Sequence, residues 1–490
     1  PAAVRETGRL ASDSVGMMRR MLTGQASVKN LSGPVTIASG AMIQPAVVNT
    51  GSVVTLTGNN ATFINNGRVD PTLLIGLAVR TSGVRIGNTN NSIVNVTNNG
   101  ILRGASALSD FNEPLASVTG VALNVHNGAG GTTTINNNGT LDGAAILGYS
   151  IAASDIPVIA VTGGGEVRLT NGMLGTIIGR VALQGSARGN TFTNAGAITG
   201  GVSMGAASTN TFTAVTGSSV NVGDGVQISV GLGGLIGINL TFAPTGTVDG
   251  GAGGTNSLIL QNPIGVGGGT TGVGTASSAT YINFNNLTLN SGTWTLQGPL
   301  VSGATTLNGG VAQFNNNATF GSGVLTSNGG ILQASNAGLN ISNLISLGAG
   351  GVTVQGTNAT TLSGVISGSG GLTKVGSGQL NLSATNTYLG NTTLNGGTVQ
   401  LGNNLALSTG TLNVTGATTL SAPGTISLNN AISLGGTLTA GGTGALTLGG
   451  LISGSSGLTK TGSGSLTVSG ANSGFTGTTT LSAGSLLVTN

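Results

Sequence analysis

The string TLNGGVAQFNNN at residues 306–317 returns as TLNGGTVQLGNN at 393–404, and TTLSAGSLLVTN at 479–490 follows the same pattern. Its shared leucine falls at Leu307, Leu394 and Leu481, two intervals of 87 residues. A second string, LSGVISGSGGLTKVGSGQLNLS at 362–383, matches LGGLISGSSGLTKTGSGSLTVS at 448–469, which sets Lys374 and Lys460 86 residues apart. A chain that repeats itself at fixed intervals builds from units that bury their apolar faces only against their neighbours, so it stacks into a solenoid.

Finer steps divide the module. Leu289-Asn290-Ser291-Gly292 returns as Leu307-Asn308-Gly309-Gly310 and again as Ser327-Asn328-Gly329-Gly330, in steps of 18 and 20. The 87-residue module is therefore predicted to hold about four units near 21 residues each, the length of one solenoid coil. Upstream the rhythm is looser. ATFINNGRV, IVNVTNNGILRG, TTTINNNGTLDG, VRLTNGMLG and NTFTNAGAITGG carry Gly67, Gly100, Gly139, Gly172 and Gly196, with spacings of 33, 39, 33 and 24 that imply coils with inserted loops.

Each unit alternates apolar and polar residues over three or four positions, punctuated by Asn-Gly, Gly-Gly or Ser-Gly. A lone pair of such strands reads as a hairpin. The repeat length favours another pairing: a strand from each coil lies parallel to the same strand of the next, about 4.8 Å away. Leu, Val and Ile then stack inside, and Asn stacks at the corners, where it and Gly tolerate left-handed backbone. The expected fold is all-β, a right-handed parallel β-helix (β-solenoid) of about 20 coils. Residues 1–30 form an N-terminal helix and lead-in strand, 31–250 an irregular β-helix with loop insertions, and 251–490 a regular β-helix with internal repeats. The last two are expected to make one continuous solenoid. Val4, Ala11, Val15, Met18 and Leu22 recur at helical spacing, predicting a short amphipathic helix over 4–22. That helix serves as a cap on the first coil or as a docking element for a partner.

Composition agrees with a folded but unusual surface. Charged residues are 5% of the chain, against about 25% in ordinary globular proteins, while 38% is hydrophobic and glycine numbers 92 of 490 residues. A surface of Asn, Thr and Ser stays hydrated without charge, yet is poorly guarded against self-association. With no cysteine, disulfides and thiolate chemistry are excluded, and the absence suits a chain that crosses an oxidising compartment before export. The formal charge of +4 does not make a nucleic-acid binder. Twelve of fourteen basic residues lie at or before Arg188, interleaved with acids, and three Tyr and one Trp offer little stacking surface. The most apolar stretch, Val230 to Ala243, is too short and too interrupted for a transmembrane helix.

Residues 371–401 and 457–488 share the pattern GLTKxGSGxL(N/T)(L/V)S, an aromatic (Tyr388 or Phe475), GxTTL, and GG or AG before another strand. This pattern resembles the passenger-associated repeat of autotransporters, the bacterial type V secretion proteins. The resemblance implies a β-helical passenger exported through an outer membrane and acting in adhesion, aggregation or biofilm. Departures accompany it: no run of amphipathic, aromatic-girdled strands of a translocator barrel closes the sequence, and the single Asn-Pro, Asn262-Pro263, lies far from the start.

Parallel β-helices also include polysaccharide-degrading enzymes, and that alternative needs converging carboxylates. The one candidate constellation is Asp142, Asp155, Glu166, Arg168 and Arg188. Glu166 and Arg188 are separated by about one coil length, as neighbours on successive coils would be; the plainer reading is an exposed ion pair of small energetic value. Tyr149 stands alone as a platform for sugar. His126 is the sole histidine and is expected on the surface or in a loop. Asp224 and Asp249 adjoin glycines without the spacing of a calcium repeat. The run GVGGGTTGVG at 265–274 lacks the Lys that a phosphate loop requires. Lys374 and Lys460 are expected as solvated edge residues that discourage sideways pairing, and Trp294, Phe284, Phe314 and Phe320 as core. No catalytic, cofactor-binding or metal-ligating residue is assigned, and no cofactor is expected. The sequence thus predicts a secreted structural and adhesive protein of the bacterial outer surface or extracellular matrix, meeting host or bacterial surface ligands. A head-to-tail filament is a further expectation, with the edge strand at 479–490 meeting the N-terminal helix of the next copy.

Overall fold

The computed structural model describes residues 34–43, 52–71, 82–89, 91–105, 121–146, 149–150, 157–221, 226–232, 236–242, 247–265 and 269–489. The helix expected over 4–22 and the loop at 110–114 lie outside the described residues. The chain divides into two compact units, Pro1–Asn256 and Ser257–Asn490. Among the described residues there is no α-helix. The strands stack coil upon coil in parallel sheets, and the fold is a right-handed parallel β-helix.

In the first unit each coil gives one strand to each of three sheets. One coil runs Thr62–Asn65, Arg68–Val69, Ser82–Thr89, and the next runs Ile93–Asn98, Ile101–Ala105, Leu123–Asn127. The register shows the coil lengths directly: Thr62 pairs with Asn95, Ile93 with Thr132, Thr132 with Glu166, Arg168 with Thr191, and Thr191 with Thr211. The steps are 33, 39, 34, 23 and 20 residues, so the coils lengthen once and then shorten, in line with the irregular spacing of the sequence. Among the described residues two antiparallel strand pairs leave this frame. Val226–Leu232 pairs with Ile236–Phe242, and Thr140–Ile146 pairs at its end with Tyr149–Ser150.

Two interior devices set the coil geometry. Gly67, Gly100 and Gly139 stack so closely that a Cβ on Gly100 would overlap the carbonyl oxygen of Gly67, and one on Gly139 would overlap that of Gly100. Only glycine allows the corner to turn at this separation. Beside them runs a buried amide ladder: Asn98 Oδ1 accepts from Asn65 Nδ2 at 2.7 Å, Asn137 from Asn98 at 2.8 Å, Asn171 from Asn137 at 2.8 Å and Asn194 from Asn171 at 2.9 Å. The expected asparagine stack is thus present. Its members are strand-end residues, whereas left-handed backbone is adopted at Asn60, Asn91 and Asn283. The reason is that the ladder points into the coil, where its amides also bond carbonyls of the adjoining turn, as Asn98 does to Thr140 at 3.1 Å.

The second unit is regular. Thr293–Gln297 pairs with Val311–Phe314, and the sheet continues through Ile331–Ala334, Val352–Gln355, Leu372–Val375, Thr392–Asn395, Leu412–Val414 and Ile432–Leu434 to Ile452–Gly454. A second face begins at Leu339–Ile341 and runs through Gln379–Leu382, Gly397–Leu401, Thr418–Ser421 and Leu438–Gly441 to Leu458–Lys460 and Thr479–Leu481. Alternate residues face inward, so Leu380, Val399, Leu420 and Leu438 are all 0% exposed. Trp294, Phe284, Phe314 and Phe320 lie in this core as expected, Phe314 and Phe320 edge to face at 5.2 Å.

The module length needs correction. From Lys374 the register passes to Leu394, Val414, Leu434 and Gly454, four equal steps of 20, the same step that joins Asn386 to Ala406. Lys460 lies one strand further on, above Ala440 on the next face. The repeat is therefore four coils and about a third of a fifth, not four slightly longer coils, and its two copies occupy different faces of the three-sided coil.

Candidate functional site

The carboxylates and guanidinium groups of the candidate constellation form two separate clusters. Asp142 lies on the sheet that also holds Arg68 and Arg103, and it pairs in register with Arg103. Arg103 Nε donates to Asp142 at 3.2 Å and its Nη1 to Asp70 at 3.0 Å, and Arg68 Nε donates to Asp70 at 2.8 Å. Asp70 and Asp142 are 0% exposed. This ladder of charges across three coils was not visible in the sequence as a cluster, although Arg68 and Asp70 straddle one residue and Arg103 follows one coil later.

Glu166 belongs to a different sheet and accepts from Arg168 Nε at 2.6 Å, with Arg188 Nη1 3.7 Å from its other oxygen. The neighbourhood of Glu166 and Arg188 anticipated from their spacing is real. The expectation of an exposed pair is not met, since Glu166 is 9% exposed. The arginines carry the exposure, and Arg188 is further tied to Thr132 Oγ1 at 3.1 Å, Gly130 O at 3.3 Å and Gly131 O. The Arg168 guanidinium is held further toward its charged form by its bond to Glu166 and by the carboxylate charge. Asp155 lies outside the described residues.

A glycosidase sets two carboxyl groups facing each other across a sugar. Here each carboxylate faces arginine, and the two that share Arg103 are sealed from solvent. The arrangement staples neighbouring coils. His126 is on the outside of a strand, with Nδ1 3.0 Å from Thr162 Oγ1 on the next coil. Among the described residues no three His, Asp or Glu side chains converge as a metal set. Asp249 accepts from the Gly251 amide at 2.8 Å in a tight turn, and Asp224 lies outside the described residues. The glycine-rich run has a packing role at its described end: a Cβ on Gly274 would meet the Trp294 ring at 2.5 Å.

Lys374 and Lys460 overturn their expectation. Both are 2% exposed. Lys374 Nζ donates to the carbonyls of Val375 at 2.9 Å and Gly376 at 2.7 Å, and Lys460 Nζ to those of Thr461 and, at 3.0 Å, Gly462. Each ammonium also lies against a left-handed glycine of the next coil, where a Cβ would come within 3.0 Å at Gly397 and 2.9 Å at Gly484. Desolvation lowers both lysine pKa values. The period-two pattern held the signal: Leu372 and Lys374 alternate with Thr373, so Lys374 falls in the inward row. The usual solvation of lysine argued the other way, but here turn carbonyls replace water.

Outward positions make ranks of hydroxyls. Thr398, Thr419, Thr439, Thr459 and Thr480 pair in register on five successive coils. With both lysines inside and no other charged side chain after Asp249, the outer surface of the second unit carries no charged side chain.

The passenger-associated-transport-repeat family matches residues 372–401 and 458–488, the two segments that hold these lysines. The chain carries the repeats of an autotransporter passenger. Such a repeat implies a secreted or outer-surface protein. In the first copy the strands Leu372–Val375, Gln379–Leu382, Thr392–Asn395 and Gly397–Leu401 fill two faces over two coils. Each passenger repeat is thus a two-coil segment locked by its lysine. Over 38 residues, 8% of its length, the chain is also 66% identical to a "Putative zinc metalloprotease" of Xylella fastidiosa (strain 9a5c), and 63% identical over 38 residues to one from strain Temecula1. The chain covers 9% of each of these relatives. No solved structure matches the chain.

Proposed function

We propose that this passenger is a structural and adhesive protein, holding extended uncharged faces away from the cell and acting in adhesion, aggregation or biofilm. The observation that carries the reading is the placement of the passenger repeats in a second unit whose interior is filled by side chains and whose outer face presents ranks of Thr, Ser, Asn and Gln. Such faces bond to hydroxyl-rich surfaces through many weak, equivalent contacts, so function is distributed over coils and is insensitive to any one residue. The irregular first unit, with its long coils, supplies the positions for more specific recognition. Self-assembly belongs to the same proposal: a second unit without outward charges is poorly guarded against association with its own copies.

The competing reading as a polysaccharide-degrading enzyme makes a sharp demand on Glu166. Purified protein incubated with acidic and neutral polysaccharides is expected to leave their chain length unchanged. Depolymerisation that Glu166→Gln abolishes would replace the structural reading with the enzymatic one.

A further inference from the structure

The second unit has an exposed aliphatic row that the passenger fold does not require. Val324, Leu344 and Val365 each stand just before a strand of one sheet, Leu325–Ser327, Ile345–Leu347 and Ile366–Gly368, and those strands pair in register. Backbone bonds link the row itself: Leu325 N donates to Leu344 O at 2.9 Å and Ile345 N to Val365 O at 2.9 Å. Asn386 N donates to Leu405 O at 3.1 Å, which brings Leu405 into the same row two coils on. The four side chains are 40%, 59%, 37% and 40% exposed. Singly, an exposed leucine needs no explanation, but three on successive coils, with Leu405 beyond the exposed Thr385, make a patch of the kind that contact surfaces use.

We infer that this ridge packs laterally against the same ridge of a second copy of the chain. Three observations favour that occupant. Side chains spaced by one coil, about 4.8 Å, interdigitate over several coils only with a row of the same spacing, as in a steric zipper, and a second copy has that spacing by construction. No exposed charged side chain lies on this unit to repel a like surface or to select an oppositely charged partner. Further along each strand, Thr326, Ser346 and Ser367 pair in register, a rank of hydroxyls that borders the ridge as a polar rim borders an interface core. Two copies related by a two-fold axis bury the ridge on both sides and close the contact.

The size of the row sets the strength. Ridge and rim span about four coil steps of ~4.8 Å each, a footprint of roughly half the ~800 Å² per partner of a stable complex. The contact is therefore weak in dilute solution and becomes populated where copies are crowded, as on a cell surface. It is a property of the isolated protein and does not depend on the adhesive reading.

The test is sedimentation velocity of the full chain from micromolar to near-millimolar concentration. A monomer–dimer equilibrium is expected in the upper part of that range and should persist when salt is raised. Leu344→Lys/Val365→Lys should shift its midpoint at least tenfold toward the monomer, and Leu344→Ser/Val365→Ser should do the same without adding charge. Since both sites are exposed, circular dichroism of the variants should match the parent. The chain has no cysteine, so Leu344→Cys gives a site-specific probe: oxidation should yield a covalent dimer, while Thr439→Cys on another face should not. A parent that stays monomeric throughout, variants that dimerise as well as the parent, or equal cross-linking from both cysteines would overturn the inference.

Discussion

Lys374 and Lys460 hold the same place in two copies of one passenger repeat, yet Lys374 pairs in register with Leu394 on one face and Lys460 with Ala440 on the next. The relationship follows from a repeat that is not a whole number of coils. A module that overshoots by about a third of a coil presents its features on successive faces, so what one copy displays in one direction the next displays about a third of a turn away.

The lysines are the internal ties of these repeats. Lys374→Met keeps the length of the side chain and removes the donors to Val375 and Gly376, leaving buried carbonyls without them. A loss of about 1.5–3 kcal/mol is expected, the usual range for bonds to a charged group. Lys460→Met should cost a similar amount, and the double variant the sum, because the sites are about four coils apart. Denaturant unfolding followed by circular dichroism checks both numbers.

The same groups give the second unit an alkaline signature. Burial lowers the lysine pKa values from 10.5, so between the lowered values and 10.5 the unfolded chain binds more protons and stability rises with pH. Burial, partly offset by the Thr392 bond, pushes the Tyr388 hydroxyl from 10.0 up to about 12. Between those limits the folded chain holds the extra proton, and stability falls as pH rises. The denaturation midpoint should therefore climb toward pH 10, where only the lysines act, and drop above 10.5, where only the tyrosine does. Lys374→Met/Lys460→Met should flatten the climb, and Tyr388→Phe should soften the drop.

Arg103 is the tie of the first unit. Arg103→Met would leave the buried carboxylates of Asp70 and Asp142 without a shared cation, and a loss of about 3–5 kcal/mol is expected. Adding Asp70→Asn and Asp142→Asn should recover most of it. Thermal unfolding of the single and triple variants makes the comparison; equal instability of the two would show that packing, not charge, sets the cost.

Asn137 stands in the middle of the amide ladder, accepting from Asn98 and donating to Asn171. Asn137→Ala is expected to cost about 1–3 kcal/mol by stranding both neighbours. In a double-mutant cycle, Asn98→Ala should cost less once Asn137 is already alanine. Additive losses would show that the ladder is a series of independent bonds.

The solenoid was legible because its determinants are periodic. Gly67, Gly100 and Gly139 fall one coil apart, and each removes a clash that any Cβ would create; Leu307 and Leu394 repeat because the same inward position recurs. Trp294 and Phe314 follow the same alternation, whereas Phe284 and Phe320 are buried from positions outside the strands. What escaped was the chemistry that alternation does not name. The pattern puts Lys374 in the inward row but does not say that the carbonyls of the turn at 375–376 replace water around its ammonium, and Asp142 finds Arg103 only after a whole long coil has closed. Conversely, Glu166 and Arg188 were recognisable as neighbours because their spacing is nearly one coil, although spacing alone could not say that Glu166 is buried.

The adhesive role is tested most directly by displaying the full chain on non-adherent cells and measuring the fraction retained on abiotic and polysaccharide-coated surfaces under flow, against cells that display no passenger. Retention is expected to rise several-fold with the chain and to be unchanged by Glu166→Gln, because the contacts are spread over uncharged faces. Retention no greater than that of the bare cells would contradict the account.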